Sequence, residues 1–209
     1  MSANYSIMLR MDGKKALVIG GGKVAERKVA GLLSAKADIT VVSPKVTAGL
    51  AELAQLKKII WQQKNFSNSD VEEAFLIFAA TDDAEVNLKV KMAAGSHQLV
   101  TISDAPDESD FHVPAVVQRG RLSLAVSTDG ASPVLAKKIR NQLFAEFDER
   151  YEGYLDFLFE ERKRILKEIN DAALKRKLLT ALAEDQFLNS DHREDEFRNL
   201  LEKVKKQTL

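Results

Sequence analysis

The sequence predicts the α/β class: a parallel, doubly wound sheet, extended by a β hairpin and followed by a helical tail. Three observations carry that prediction. Short aliphatic runs recur through the first half of the 209-residue chain, at 15–20, 38–43, 59–63, 75–81 and 99–103, with helix-like stretches between them. Strands alternating with helices join in parallel through right-handed crossovers. Beyond Ser103 two more β-like runs, 113–118 and 122–128, flank Arg119-Gly120 with no helix between them, which is a hairpin pattern. From about residue 160 the chain is densely charged and keeps apolar residues at helical intervals.

The first run, KALVIG, reads as a buried strand, and Gly20-x-Gly22-x-x-Ala25 follows at once, opening a helix over Val24–Leu33. A glycine loop in that context is the dinucleotide-binding fingerprint of a Rossmann-like sheet. Its first glycine permits the tight turn, its second lets a pyrophosphate approach the main chain, and a small third residue lets helix and strand pack closely. Lys23, Val24 and Ala25 open the helix, so free N–H groups and the helix dipole face the phosphates. NAD-binding versions carry an acidic residue near the end of the second strand for the ribose hydroxyls. Here that strand ends in Val42-Ser43-Pro44-Lys45. Ser43 offers a weaker hydrogen bond and Lys45 tolerates a phosphate, so these residues leave NAD and NADP both open.

Thr81, Asp82 and Asp83 fall where the fourth strand leaves the sheet, at the carboxyl edge that binds ligands in open α/β folds. They line the cofactor cleft, or one aspartate caps the helix over Ala84–Ala94, where Val86, Val90 and Ala93 recur. Asn87, on the first turn, shares that choice. Asp104 follows the fifth strand at the same edge, as a proton acceptor, a substrate-positioning group or a turn cap. His112 is a second candidate for proton transfer or substrate contact, histidine being the residue type suited to proton exchange near neutrality, or else a structural residue. His97 and His192 have no comparable context and read as surface or structural residues.

The hairpin exposes an edge that needs cover, which predicts pairing with the same hairpin of a second subunit. Ser132-Pro133 supplies an N-cap and a first-turn proline for a helix to about Phe147. In the tail, Leu155, Leu158, Phe159, Arg162, Ile165, Leu166 and Ile169 mark one helical stripe. Leu174, Leu178 and Leu182 mark a second, and Phe197, Leu200, Leu201 and Val204 a third.

Lysine plus arginine and aspartate plus glutamate each total 31, a net charge of zero, so no global electrostatic footprint for nucleic acid exists and any bound anion needs a local cluster. The absence of cysteine removes disulfides, thiolate nucleophiles and cysteine-ligated metals. With only three histidines, none clustered, no metal site is expected. The first residues lack a secretory apolar segment and no apolar run is long enough for a membrane span, so a soluble cytoplasmic protein is expected.

Taken in order, GGGKVAERK, FAATDDAEVN, SDAPDESDFHVPA and VSTDGASPVLAKKIR closely resemble the precorrin-2 dehydrogenase family of sirohaem biosynthesis, over about residues 5–150. The resemblance implies NAD-dependent oxidation of precorrin-2 to sirohydrochlorin by a homodimer. It implies a Rossmann-like NAD-binding domain (1–112), a central β dimerisation region (113–147) and a small helical C-terminal domain (148–209). Asp104, in SDAP, matches the family's functional aspartate. Thr128 stands where many relatives carry serine, which keeps a hydroxyl and adds a methyl. Precorrin-2 is a polycarboxylate, so Thr128 and Ser132 at the helix start, and Lys137 and Arg140 beyond it, are candidate substrate contacts, with Arg119, Arg121 and Lys138 nearby in sequence.

Some relatives also insert iron, making a bifunctional dehydrogenase and chelatase the alternative. A non-catalytic nucleotide sensor is a more distant one. A short-chain dehydrogenase is disfavoured because none of Tyr5, Tyr151 and Tyr154 has lysine four residues on. The chain ends before the methyltransferase half of the fused enzymes, so a stand-alone dehydrogenase is expected.

Overall fold

The computed structural model describes residues 4–207, and the chain divides between Val113 and Pro114 into two compact units. The first unit runs β1 (Lys15–Ile19), α1 (Lys23–Ser34), β2 (Asp38–Val42), α2 (Ala48–Gln55), β3 (Ile60–Gln62), β4 (Leu76–Ala79), α3 (Ala84–Ala93) and β5 (Leu99–Ile102). All five strands are parallel, in the order β3-β2-β1-β4-β5. Val18 lies opposite Val41 on one side and Phe78 on the other. One face of the sheet buries Ala16, Val18, Ile39, Val41 and Phe78 together with Val29 and Leu32 of α1 and Leu50 of α2. The other buries Leu17, Ile19, Val42, Ile77 and Val100 with Val90 of α3. Burial on both faces is why the strands read as unbroken aliphatic runs.

From β1 the chain builds outward to β2 and β3, then crosses to β4 on the far side of β1. The crevice between the ends of β1 and β4 is thus the switch point of the sheet, where ligands bind in such folds. The strands stop one or two residues short of the aliphatic runs. Gly20, Ser43, Ala80, Thr81 and Ser103 already belong to the loops at the carboxyl edge. The patterning assigns no element to 44–58, yet α2 forms there, its N-terminus capped by Thr47 Oγ1, which accepts the Leu50 N–H at 3.3 Å. Eight residues with Leu50 as their one fully buried side chain are too few for a helical period to register.

Strand β5 is an edge, and its outer side is covered by the loop that follows it. Asp110 N–H donates to Val100 O at 2.8 Å, and Asp110 Oδ2 accepts the Val100 N–H at 2.9 Å. Ile102 N–H donates to Ser109 Oγ at 2.9 Å. Side chains here replace a neighbouring strand, and in doing so they pin the loop that carries Asp104 and His112.

The second unit begins with the antiparallel pair β6 (Ala115–Arg119) and β7 (Leu122–Val126). Its two-residue turn is Gly120-Arg121 rather than Arg119-Gly120, because Arg119 still pairs with Leu122 and Gly120 takes φ +49°. Then come α4 (Pro133–Glu146), α5 (Arg150–Glu168), α6 (Ala172–Leu182), α7 (Asp185–Asn189) and α8 (Arg193–Gln207). Ser132 Oγ accepts the Leu135 N–H at 3.1 Å, the cap that Ser132-Pro133 predicts.

The stripe expected on α5 holds at Ile165 and Ile169, which are buried, and is corrected elsewhere. Tyr154, Phe157 and Ile165 are its buried side chains, whereas Arg162 is exposed, Leu166 is 46% exposed and Leu155, Leu158 and Phe159 are only half-buried. Phe157, Phe187 and Phe197 pack with ring centroids 6.0–6.1 Å apart, and the Tyr154 hydroxyl donates to Leu182 O at 2.8 Å. The buried row 154-157-161-165 passes through Glu161, a charge that hides it from a hydrophobic pattern. The stripes on α6 and α8 stand, with Leu178, Leu182, Phe197, Leu201 and Val204 buried. Among the described residues no helix is long and apolar enough to cross a membrane.

Candidate nucleotide cleft and acid-base site

The three consecutive glycines meet three different surroundings. Gly20 has φ +123°, and a Cβ there would lie 2.2 Å from Ala80 O, so the end of β1 fits against the end of β4 only without a side chain. At Gly21 a Cβ would fall 2.0 Å from Lys45 O and 2.8 Å from Ser43 Oγ. The loop after β2 folds onto this glycine, with Thr47 N–H donating to Gly21 O at 2.9 Å. Gly22 is unlike both, since a Cβ there would meet nothing within 4 Å and its φ of −84° suits any residue. Nothing among the described residues requires glycine at this position, so the open space beside it fits a ligand that approaches the main chain.

Gly22 is the N-cap of α1 and has no side chain to close the helix end. The first amide to bond back is that of Glu26, to Gly22 O at 3.0 Å, which leaves the N–H groups of Lys23, Val24 and Ala25 at the open, positive end. Ala25 is fully buried against the sheet, whereas Lys23 and Val24 are exposed. A bare amide cradle at the switch point fits a dinucleotide pyrophosphate. Across the cleft, the Ser43 hydroxyl donates to Lys45 O at 2.7 Å, and Trp61 Nε1 donates to Ser43 O at 2.9 Å. Ser43, 8% exposed, spends its hydroxyl proton on Lys45 and keeps acceptor capacity for a ribose. Pro44 and Lys45 are exposed at the rim.

A second network lies at the ends of β4 and β5. Asp83 is the N-cap of α3, its Oδ1 accepting from Glu85 N–H at 2.9 Å and Val86 N–H at 3.2 Å, while Asp82 stays exposed. Asn87, 1% exposed, joins the two strand ends. Its Oδ1 accepts the Thr81 N–H at 3.2 Å and the Thr81 hydroxyl at 2.8 Å, and its Nδ2 donates to Thr81 O at 3.2 Å and to Asp104 Oδ1 at 2.9 Å. Asp104 is itself exposed and caps no helix; the short turn Pro106–Glu108 that follows it is capped by Ala105. His112 is exposed and hydrogen-bonds to no residue of this network.

The loop between Asp104 and His112 is tied down by Asp110. Burial pushes the Asp110 carboxyl up, but the Lys91 ammonium and the Val100 N–H outweigh it and hold the group below its ordinary value. Sequence reasoning placed Asn87 only among alternatives and left Gly21, Ser109 and Asp110 unassigned. The available signal for Asn87 was a polar residue one helical turn before the inward Val90.

In the second unit the predicted substrate contacts Thr128 and Ser132 cap α4. Thr128 Oγ1 donates to Ser132 O at 3.0 Å and accepts the Ser132 N–H at 3.1 Å. Lys137 is exposed and flanks, with Lys138, Val134 and Asn141, an open hollow of about 520 Å³ on α4; Arg140 is half-buried. Two of the other cations are engaged. Arg119 donates to Phe147 O at 3.1 Å and lies 3.8 Å above the Phe144 ring, and Arg121 pairs with Asp156 at 2.8 Å.

A parallel sheet of this strand order, with an amide cradle at its switch point, is that of a dinucleotide-binding α/β protein. Family models agree: an NAD(P)-binding family matches residues 7–115, the sirohaem biosynthesis protein central family residues 119–145, and the SirC C-terminal domain residues 151–197. Precorrin-2 dehydrogenase from Priestia megaterium is 38% identical over 96% of this chain and all of its own length. Precorrin-2 dehydrogenase from Bacillus subtilis is 31% identical over 75% of this chain and 96% of its own. Siroheme synthase from Nitrosococcus oceani is 39% identical over 81% of this chain but only 36% of its own length. The solved structure of SirC, a precorrin-2 dehydrogenase, superposes with a TM-score of 0.83 at 38% identity, covering 96% of this chain and 100% of that one. The chain belongs to the precorrin-2 dehydrogenase family.

Proposed function

We propose that this chain oxidises precorrin-2 to sirohydrochlorin with NAD as the hydride acceptor, working as a homodimer in the cytoplasm. The observation that carries the reading is Gly22, a glycine with open space beside it at the positive end of α1, on the same sheet edge as Asp104. Gly20 and Gly22, with the N–H groups of Lys23, Val24 and Ala25, hold the pyrophosphate. Ser43, Pro44 and Lys45 border the adenosine side, and Thr81 and Asp82 border the other wall. Bound there, the nicotinamide supplies the acceptor for a hydride. Asp104 accepts the proton that must leave the macrocycle with that hydride, so that one ring double bond forms, and then returns the proton to solvent. His112, eight residues along the same loop, contacts the substrate or relays that proton. Lys137, Arg140 and the α4 start at Thr128 and Ser132 take substrate carboxylates. In this reading residues 1–112 bind the nucleotide, 113–147 pair the subunits and 148–209 form the helical domain.

The test is anaerobic turnover of precorrin-2 with NAD⁺ or NADP⁺, following NAD(P)H and sirohydrochlorin together. One nucleotide reduced per macrocycle is expected, with kcat/KM at least tenfold higher for NAD⁺. Asp104→Asn should lose about 10²-fold or more in kcat, the usual range for a general base, while NAD⁺ affinity changes less than threefold. Tight nucleotide binding without turnover by the unmodified protein would reduce it to a sensor.

A further inference from the structure

Asn87 is buried, polar and outside the reaction as described, yet all of its hydrogen-bonding capacity is directed to two residues. Four bonds leave its carboxamide, three to Thr81 and one to Asp104. The amide has one possible orientation. The Thr81 main-chain N–H can only donate, so the Asn87 oxygen must face it, and Thr81 O can only accept, so the Asn87 nitrogen must face that. Rotation by 180° would set donor against donor and acceptor against acceptor. The remaining Nδ2 hydrogen therefore points at Asp104 Oδ1, which can only receive it.

Resting on the reading of Asp104 as proton acceptor, we propose that Asn87 is the positioning residue of that carboxylate. It holds Oδ1 as an acceptor and so assigns proton transfer to Oδ2, which receives no hydrogen bond among the described residues. In the reaction the substrate proton passes to Oδ2 while the hydride leaves with the C–H electron pair to the nicotinamide, and Asn87 keeps its bond to Oδ1 throughout. Because the other three bonds run to Thr81, next to the Ala80 carbonyl that Gly20 abuts, the wall of the nucleotide cleft and the base share one rigid support.

Asn87→Asp tests this in the full-length protein. The substitution keeps the shape and still offers the Thr81 N–H and hydroxyl an acceptor, but it sets one carboxylate oxygen against both Thr81 O and Asp104 Oδ1, and two neighbouring carboxylates cannot both ionise easily. Expected are a tenfold or greater loss of kcat at pH 7, an acidic limb of the kcat profile moved up by about one pH unit or more, and a KM for NAD⁺ within threefold of the unmodified value. A second measurement guards against misfolding: Asn87→Ala, alone and combined with Asp104→Asn, with melting temperatures for each. A residue acting through Asp104 loses its effect on residual turnover once Asp104 is gone. An unmoved profile, or losses that multiply in the double variant, overturns the proposal while Asp104→Asn still reports on the base. Full activity in Asp104→Asn overturns the base reading instead.

Discussion

Gly20, Gly21 and Gly22 are adjacent in sequence but answer to different neighbours, and substitution separates them. Gly20→Ala combines a left-handed φ with a Cβ 2.2 Å from Ala80 O, and should cost about 2–5 kcal/mol of stability from strain and overpacking together. Gly22→Asp should do the opposite. Aspartate is a favourable N-cap, its carboxylate able to accept from the α1 amides, so the melting temperature of the free protein should hold or rise. The same carboxylate occupies the place we propose for the pyrophosphate and would repel it, so NAD⁺ affinity should fall about 100-fold or more by the tenfold per 1.4 kcal/mol rule. Thermal melts with and without NAD⁺ measure both. A Gly22→Asp protein that binds NAD⁺ normally would mean that the open space there serves another purpose.

At the scale of elements, α5 shows how a charge shapes a helix that is otherwise apolar along its buried face. Glu161 lies in the row of Tyr154, Phe157 and Ile165, and its Oε2 is buried with no hydrogen-bond partner, 3.7 Å from an Arg164 nitrogen. Burial pushes this carboxyl above its ordinary value, with Glu194 of α8 and Glu168 adding to the rise and Arg164 and Arg198 opposing it. The folded state thus binds the Glu161 proton more tightly than the unfolded chain does. Its stabilising effect is complete below about pH 4.5 and is lost as pH rises toward the raised folded value. Glu161→Met should therefore stabilise at pH 7 by about 0.5–1 kcal/mol, a modest figure because the side chain keeps some solvent, and by less at pH 4. Arg164 retains Glu168 at 3.1 Å in that variant. Denaturant melts followed by far-ultraviolet circular dichroism at the two pH values check the difference.

The same row explains what the sequence could and could not convey about elements. The five strands were legible because burial on both sheet faces demands continuous aliphatic residues, and the glycine loop was legible because its position between strand and helix is local. The face of α5 was not, since one glutamate in the row shifts the apparent stripe toward Leu158 and Phe159. Asn87 was visible only as a polar residue on α3. Its role depends on Thr81 and Asp104, six and seventeen positions away, meeting across two strand ends.

For the molecule as a whole, the pair β6–β7 raises a question that one chain does not answer. A two-stranded sheet is marginal by itself. Here α4 covers one face, burying Val117 and Ala136, while Val116 and Ala125 of the other face are exposed and neither outer edge has a strand partner among the described residues. Val116 is 43% exposed on that open face, and Val134, Leu135 and Phe144 are 80%, 47% and 45% exposed on the helix that covers the opposite one. Our proposed homodimer covers the open face and the edges of the hairpin by pairing them with their own copy, since an isologous contact presents the same patch twice. Sedimentation of the full-length protein at micromolar concentration should give twice the chain mass. The double variant Val116→Lys, Ala125→Glu places charges on the open face without touching Val117 or Ala136, and should shift the protein at least tenfold toward monomer while the helical signal is retained. Unmodified protein that sediments as a monomer at all concentrations would require another cover for the hairpin, and the pairing assigned to residues 113–147 would be withdrawn.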